Sequence, residues 1–446
     1  MKAKTGKILA IAGALGLASL GLGTRNADAV PSYSRQTGLP CETCHTVAPQ
    51  LTPFGRYFKM NGYVLSSNTL NPSAPKHTPK ESISKFPPIS AMILVSDMVV
   101  KKSLPGTQNS TVAFPDQLSL FYAGRIASHL GSFAQITYTQ TDDKFSLDNT
   151  DLRYANTATL GGKPVVWGLM LNNNPTVGDP WNSTPAWGFP YLGSDAAPGP
   201  SWAPQIMDLG GAVAGVGAYA WFNNSVYAGV SLYRSSQIGQ PQPLDSSASN
   251  VISNVAPYWR LAWEHNWSTS GNYTHSFEVG TFGMSQHVYP GGGAPLSGAT
   301  DNYVDYGVDT QYQLLTPGRD SLTVHGMFIH EKQTLNASDP GQPDNHLNTF
   351  AVNAQYFWHE RFGPSIGYFD TTGNSNVDLY GATSRTASPD SNGWIFQWTY
   401  LPAANVQLGA QYTLFNKLDG SSSNYDGSGR SASDNNTLYM FAWFLF

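Results

Sequence analysis

The chain has 446 residues and a net charge of −5, with only 12% charged residues beside 13% aromatics. About 25% charged residues is usual for a soluble domain, so this surface is not an ordinarily solvated one. No basic cluster appears, which excludes nucleic acid as a partner, and beyond the N-terminus no apolar run nears the ~18 to 20 residues of a membrane helix.

The first element in chain order is a targeting segment. Lys2, Lys4 and Lys7 precede an apolar stretch from Ile8 to Leu22, and Ala27-Asp28-Ala29 supplies a small-x-small cleavage pattern. Residues 1–29 are therefore expected to be a signal peptide, with the mature, exported chain beginning at Val30.

Residues 30–65 hold the only two cysteines. Cys41-Glu42-Thr43-Cys44-His45 fits C-x-x-C-H, the pattern of covalent c-type haem attachment. Two thiols at this spacing can form thioethers to the two haem vinyl groups, which sets the next side chain under the iron as an axial imidazole. A local disulfide and a zinc site compete with that reading. A disulfide does not need the histidine, and zinc wants a fourth ligand at similarly tight spacing. One haem c held by Cys41, Cys44 and His45 is the expectation.

A short helix should follow, with Thr52 as N-cap, Pro53 at its first position and Gly62 ending it. Phe54, Tyr57, Phe58 and Asn61 recur at helical spacing, giving an aromatic face fit to cover a porphyrin or to pack a core. The sixth iron ligand stays open. Met60 is the nearest methionine but lies off the main aromatic stripe, and His77 is a bis-His candidate. A barrel side chain, water or an open position are the other options. Arg35, Arg56 and Lys59 are candidates to meet the haem propionates, or else plain exposed charges.

Residues 66–88 are polar and Pro-rich and read as a linker. The haem-binding segment is then about 36 residues, below the ~40 at which an unaided core becomes improbable, so other walls must bury a haem.

From Ile89 to Phe446 the chain repeats ten or so alternating residues, a turn, ten more, then a long polar connector. In "YVDYGVDTQYQLL", Tyr303, Asp305, Gly307, Asp309, Gln311 and Gln313 oppose Val304, Tyr306, Val308, Thr310, Tyr312 and Leu314. One wet and one greasy face at period two is a half-buried strand. Sixteen such segments start near residues 89, 117, 132, 150, 164, 208, 225, 257, 273, 302, 320, 347, 362, 392, 405 and 436. Short connectors alternate with long ones such as 172–207, 235–255 and 371–390, as expected of an outer-membrane β-barrel with tight periplasmic turns and long external loops. The fold class is thus all-β, a transmembrane barrel of about sixteen antiparallel strands, contacting outer-membrane lipid and wide enough to be plugged by the helical N-terminal segment. Charges on the wet faces, namely Arg125, Arg153, Arg260, Glu264, Glu278, Asp305 and Asp309, are expected to hold that plug, guide cations or simply line the lumen.

The stretch from Tyr33 to Tyr63, joined to a barrel ending in Phe446, resembles the outer-membrane monohaem cytochrome–porin fusions of iron-oxidising bacteria. The resemblance implies oxidation of extracellular Fe(II) at a single haem c, bound through Cys41, Cys44 and His45, with the electron passed to periplasmic carriers. It supplies no match for an iron-binding residue. Two other functions compete: a porin whose haem-bearing plug or sensor gates solute uptake, and outward electron flow to an external acceptor.

Overall fold

The computed structural model describes residues 31–65, 87–104, 106–236, 244, 248–291, 293–403 and 405–446. The signal peptide, the chain start at Val30, His77 and the linker up to residue 86 lie outside the described residues.

Sixteen antiparallel strands form one closed barrel. They run β1 (Ile89–Val100), β2 (Thr111–Ala127), β3 (Leu130–Thr139), β4 (Lys144–Leu160), β5 (Lys163–Asn172) and β6 (Val213–Phe222). Then come β7 (Val226–Ser235), β8 (Ala256–Thr269), β9 (Tyr273–Val288), β10 (Asp301–Leu315) and β11 (Ser321–Thr334). Last are β12 (Asp344–Phe357), β13 (Phe362–Gly373), β14 (Ser391–Ala403), β15 (Val406–Lys417) and β16 (Thr437–Leu445). Every strand pairs with its sequence neighbours, and β1 closes on β16 with Leu94 opposite Trp443. Closure leaves no free edge, which lipid demands because nothing there can satisfy exposed backbone N–H and C=O groups.

Side-chain alternation follows the sequence pattern. On β7, Val226, Val230 and Leu232 face outward while Tyr227, Ser231 and Tyr233 are buried inside. On β10, Tyr306 and Val308 face outward while Asp305, Asp309, Gln311 and Gln313 are buried. Exposed Trp267, Tyr273, Tyr356, Trp358, Trp398 and Tyr400 ring the end with short turns. An apolar outer band with an aromatic girdle belongs at a membrane interface, and the chain is a bacterial outer-membrane β-barrel with its short turns on the periplasmic side.

The expected strand starts fall within six residues of the observed ones. Two of the larger departures have local causes. β2 begins at Thr111 rather than near 117 because Pro115, which cannot donate to a ladder, sits where the β1–β2 register slips between Leu94 and Ser96, and the bulge absorbs it. β6 begins at Val213 rather than near 208 because the apolar residues just before it, Leu209 and Ala212, are core residues of the preceding loop.

That loop corrects the sequence reading. Much of the segment 173–212 does not stand outside the barrel: it turns into the lumen, where Val177, Trp181 and Thr184 are fully buried, while Ser201 and Trp202 meet Asp419 and Tyr380 of the long outer connectors. The N-terminal segment is also inside. It folds as α1 (Pro31–Thr37), α2 (Cys41–Cys44) and α3 (Pro53–Met60). Plug and inward loop fill the lumen together.

If the outward face is lipid-facing, Val230→Arg near the middle of β7 should destabilise the barrel by about 2–4 kcal/mol. Denaturant titration of the folded barrel in lipid vesicles would measure this.

Candidate functional site

α3 is built as its sequence predicts. Thr52 accepts from the Gly55 amide at 3.1 Å and also donates to the Thr43 carbonyl at 2.6 Å, so one side chain caps α3 and ties it to α2. A side chain at Gly55 would bring its Cβ within 2.2 Å of the Cys44 carbonyl oxygen, so only glycine lets the two helices come this close. Gly62 ends the helix with a φ of +70°, a backbone conformation open to glycine.

Arg56 decides how this helix sits. It is fully buried, and its guanidinium donates to Glu264 Oε1 at 3.0 and 2.6 Å, Ser276 Oγ at 2.6 Å, the Leu51 carbonyl at 2.8 Å and Gln311 Oε1 at 3.1 Å. Lys59 reaches the inward loop, donating to the carbonyls of Val177 and Asp179 at 2.9 and 2.7 Å and to Asn182 Oδ1 at 3.1 Å. Burial, and after it the neighbouring Arg153 cation, pull the Lys59 pKa down to about 7. Arg35 donates to the Ile89 carbonyl at the barrel rim. These three cations thus lock plug to barrel and loop. Elsewhere Tyr63 donates to Asp151 Oδ2 and Tyr219 to the Met60 carbonyl, each at 2.6 Å, while Ser32 and Gln36 of α1 hold the Ala123 carbonyl.

Between this plug, the inward loop and the wall formed by β1–β4, β15 and β16 lies a cavity of about 380 Å³. Cys41, Cys44 and His45 line it from the plug side, and Phe121, Phe133, Trp187 and Trp443 from the other. Cys41 and Cys44 are not joined in a disulfide. His45 Nδ1 meets the Gln50 carbonyl at 3.2 Å, which assigns its proton to Nδ1 and leaves Nε2 as the basic nitrogen. Burial lowers the His45 pKa to about 4, against a smaller upward pull from that carbonyl, so the ring is neutral, the form that ligates a metal. Burial raises the Cys44 thiol to about 11. Two cysteines and a neutral, oriented imidazole on one wall of an apolar cavity fit a covalently attached haem.

The aromatic stripe read from the sequence divides. Phe54 and Phe58 line the cavity, while Tyr57 turns toward Trp221 at 6.5 Å and Asn61 donates to the Tyr57 carbonyl. Met60 is fully buried among Val166, Met170, Trp181 and Trp221 and is not a lining residue, so the structure does not bring this candidate sixth ligand to the cavity of His45.

The lumen charges also separate. Glu264 holds the plug. Arg153 pairs with Asp151 at 2.7 Å and donates to the Gly178 carbonyl at 2.6 Å; Arg260 pairs with Asp309 at 2.7 Å, Asp179 at 3.1 Å and Glu278 at 3.3 Å. Both arginines therefore fasten the inward loop. Asp309 is further engaged by Ser183, and Asp305 lies opposite Glu331 in the β10–β11 register and accepts from Gln286 at 3.3 Å. Asp309 is thus taken up in fastening the inward loop, whereas Asp305 lines the lumen with its Oδ1 lacking a hydrogen-bond partner among the described residues. Arg125 bonds the Ala127 carbonyl and Ser128 at the periplasmic rim. Asp179 is an anchoring residue the sequence reading missed: it sits in a Pro- and Asn-rich stretch that looks like any loop. Among the described residues, no group of three or more His, Cys, Asp and Glu side chains converges as a metal ion would need.

Glu264→Gln would leave the Arg56 cation buried without its counter-charge, a change worth about 3–5 kcal/mol for a buried pair. Residues 31–65 should then be cleaved faster by added protease while the barrel keeps its folded mobility on unheated gels; unchanged protection would show that the pair does not secure the plug.

No protein-family model matches the chain, and no curated protein matches it. Among solved structures, the chain is similar to Salmonella typhi OmpF in complex with daunomycin, with 14% identity over 80% of this chain and 97% of that one and a TM-score of 0.49. It is also similar to an anion-selective porin from Comamonas acidovorans, with 11% identity, 80% and 98% coverage and a TM-score of 0.48. A third is the outer-membrane channel DcaP of Acinetobacter baumannii, with 11% identity, 80% and 96% coverage and a TM-score of 0.45.

Proposed function

We propose that residues 31–65 carry one covalent haem c inside the barrel and that the chain moves electrons across the outer membrane, oxidising extracellular Fe(II) and handing the electron to a periplasmic carrier. One observation carries the reading. The chain's only cysteines and the adjacent imidazole line an apolar cavity within a membrane barrel. An apolar band about 25 Å tall separates the two aqueous sides, and a redox centre inside the barrel shortens the electron's path without moving iron.

The chain's own residues have separable tasks. Cys41 and Cys44 would anchor the group and His45 would ligate its iron through Nε2, its ring fixed by the Gln50 carbonyl. Phe54 and Phe58 on the plug side, with Phe121 and Phe133 facing them from the barrel, make the space between apolar. When bound, the group supplies a one-electron couple. Toward the outer mouth, Asp195 of the inward loop lies near Asp116, Asp142 and Asp148, and Asp148 lines the cavity. This negative field favours a small cation over an anion as the external reactant.

Pyridine haemochrome analysis should give one thioether-linked haem per chain, lost when Cys41 and Cys44 are both replaced by Ala. Stopped-flow spectra should show reduction on mixing with Fe(II). Asp148→Asn with Asp195→Asn should slow that reduction by about tenfold at low salt, with the difference shrinking as salt is added. A haem potential well below that of the Fe(III)/Fe(II) couple would instead favour outward flow.

A second reading is a solute channel gated by the plug. The barrel class favours it, because sixteen strands suffice for an aqueous pore, and so does the amide-rich wall of Gln355, Gln397 and Gln411 on β12, β14 and β15. Steady ion conductance by the intact protein in planar bilayers, with no response to Fe(II), would favour this reading over the first.

A further inference from the structure

The haem reading leaves a question of charge. A haem brings two propionate carboxylates, which leave the porphyrin on the edge away from its vinyl groups. Here the vinyl-bonding cysteines belong to the plug, so the carboxylates should meet the barrel wall or the inward loop. Among the described residues lining the cavity, Lys59 is the single lysine or arginine, and its ammonium is already held by three oxygens of the inward loop. The two other cations suggested by the sequence, Arg35 and Arg56, are engaged outside the cavity. The carboxylates must therefore be met by neutral donors. Several lining amides are committed: the Gln135 amide donates to Ser119 and Thr137, and the Asn182 amide to the Pro49 carbonyl.

Gln407 and Trp443 differ. They are directly opposite each other across β15 and β16, both line the cavity, and both present a buried polar atom with no hydrogen-bond partner among the described residues. These atoms are Trp443 Nε1 and Gln407 Oε1, and Gln407 is 5% exposed. An unsatisfied buried polar group is costly, and these two belong to cavity-lining side chains on adjacent strands, where a partner entering the cavity could satisfy them after a small side-chain turn. Its chemistry follows from the donors. An indole N–H can only donate, and the Gln407 amide offers an NH₂ once turned half a revolution about its last bond, because its oxygen and nitrogen ends are interchangeable in shape. Two neutral donors side by side suit the two oxygens of a carboxylate.

We infer that Gln407 and Trp443 form the anchor for a haem propionate, positioning the porphyrin from the barrel side while Cys41, Cys44 and His45 hold it from the plug. The inference rests on the haem reading. It makes barrel and plug two halves of one binding site, and it gives the propionate hydrogen bonds without a compensating cation.

Purified full-length Gln407→Leu and Trp443→Phe variants test this; the second keeps an aromatic ring and removes the donor, so it should fold. Gln411→Leu, on the same strand but away from the cavity, is the control. All three should retain one thioether-linked haem per chain. In the first two, the propionate-bending band in the resonance Raman spectrum should shift. The midpoint potential should also fall at about pH 8, where carboxylic acids are ionised and the less compensated negative charge favours the ferric state. The control should match the wild type in both. Unchanged spectrum and potential in both variants, with haem attached, would overturn the anchor and leave the haem reading standing. A wild-type protein without thioether-linked haem would overturn both.

Discussion

The plug depends on the burial of one guanidinium. Arg56 lies inside a membrane barrel, where an unpaired cation would cost several kcal/mol, and the lumen supplies a counter-charge from β8 with neutral acceptors from β9 and β10. Helical geometry then fixes the rest of α3. Phe54 and Phe58 are each two residues from Arg56, roughly 200° around the axis, so seating Arg56 against β8–β10 turns both rings to the opposite side, where the cavity lies. Met60 is four residues on, back within roughly 40° of Arg56, and so meets the wall rather than the cavity. One ion pair accounts for the orientation of the helix, the split aromatic stripe and the placement of the methionine.

A second charge cluster does the same for the inward loop. Asp179 accepts the Trp181, Ser183 and Thr184 amides, which curls the loop tightly around it, and it then meets Arg260 from β8. Arg153 holds the Gly178 carbonyl from β4, and Lys59 of the plug holds the loop from below. Plug and loop are thus bonded to the wall and to each other. Such a lumen is a solid support for a bound group, and solute passage would require that these buried pairs separate.

The cavity left beside them combines two kinds of wall. The plug contributes cysteines and an imidazole; the barrel contributes aromatic rings and, through adjacent strands, paired polar groups. Neither half encloses the space alone, which agrees with the small size of residues 31–65. Confining that segment costs conformational freedom, offset by a dense set of buried hydrogen bonds to five or more strands.

Much of this was open to reading in the sequence, because the signals are local. Alternation of wet and greasy residues is imposed residue by residue by the strand period, so the strand count and the two faces of β7 and β10 were legible. Thr52, Pro53 and Gly62 mark helix ends by their own conformational chemistry, and the motif at Cys41, Cys44 and His45 is contained in five residues. What the sequence could not carry were pairings between residues far apart. That the stretch around Gly178 and Asp179 folds inward depends on arginines 25 and 81 residues away on β4 and β8, and nothing in "NNNPTVGDPWNSTP" distinguishes Asp179 from a loop aspartate facing water. The direction of Met60 was set when Arg56 found Glu264 more than 200 residues later, and the adjacency of Gln407 and Trp443 was set by the register of β15 on β16. Local patterns determined that there would be a barrel and a C-x-x-C-H motif; the closing of the barrel alone decided which distant charges would meet inside it, and so where the motif would face.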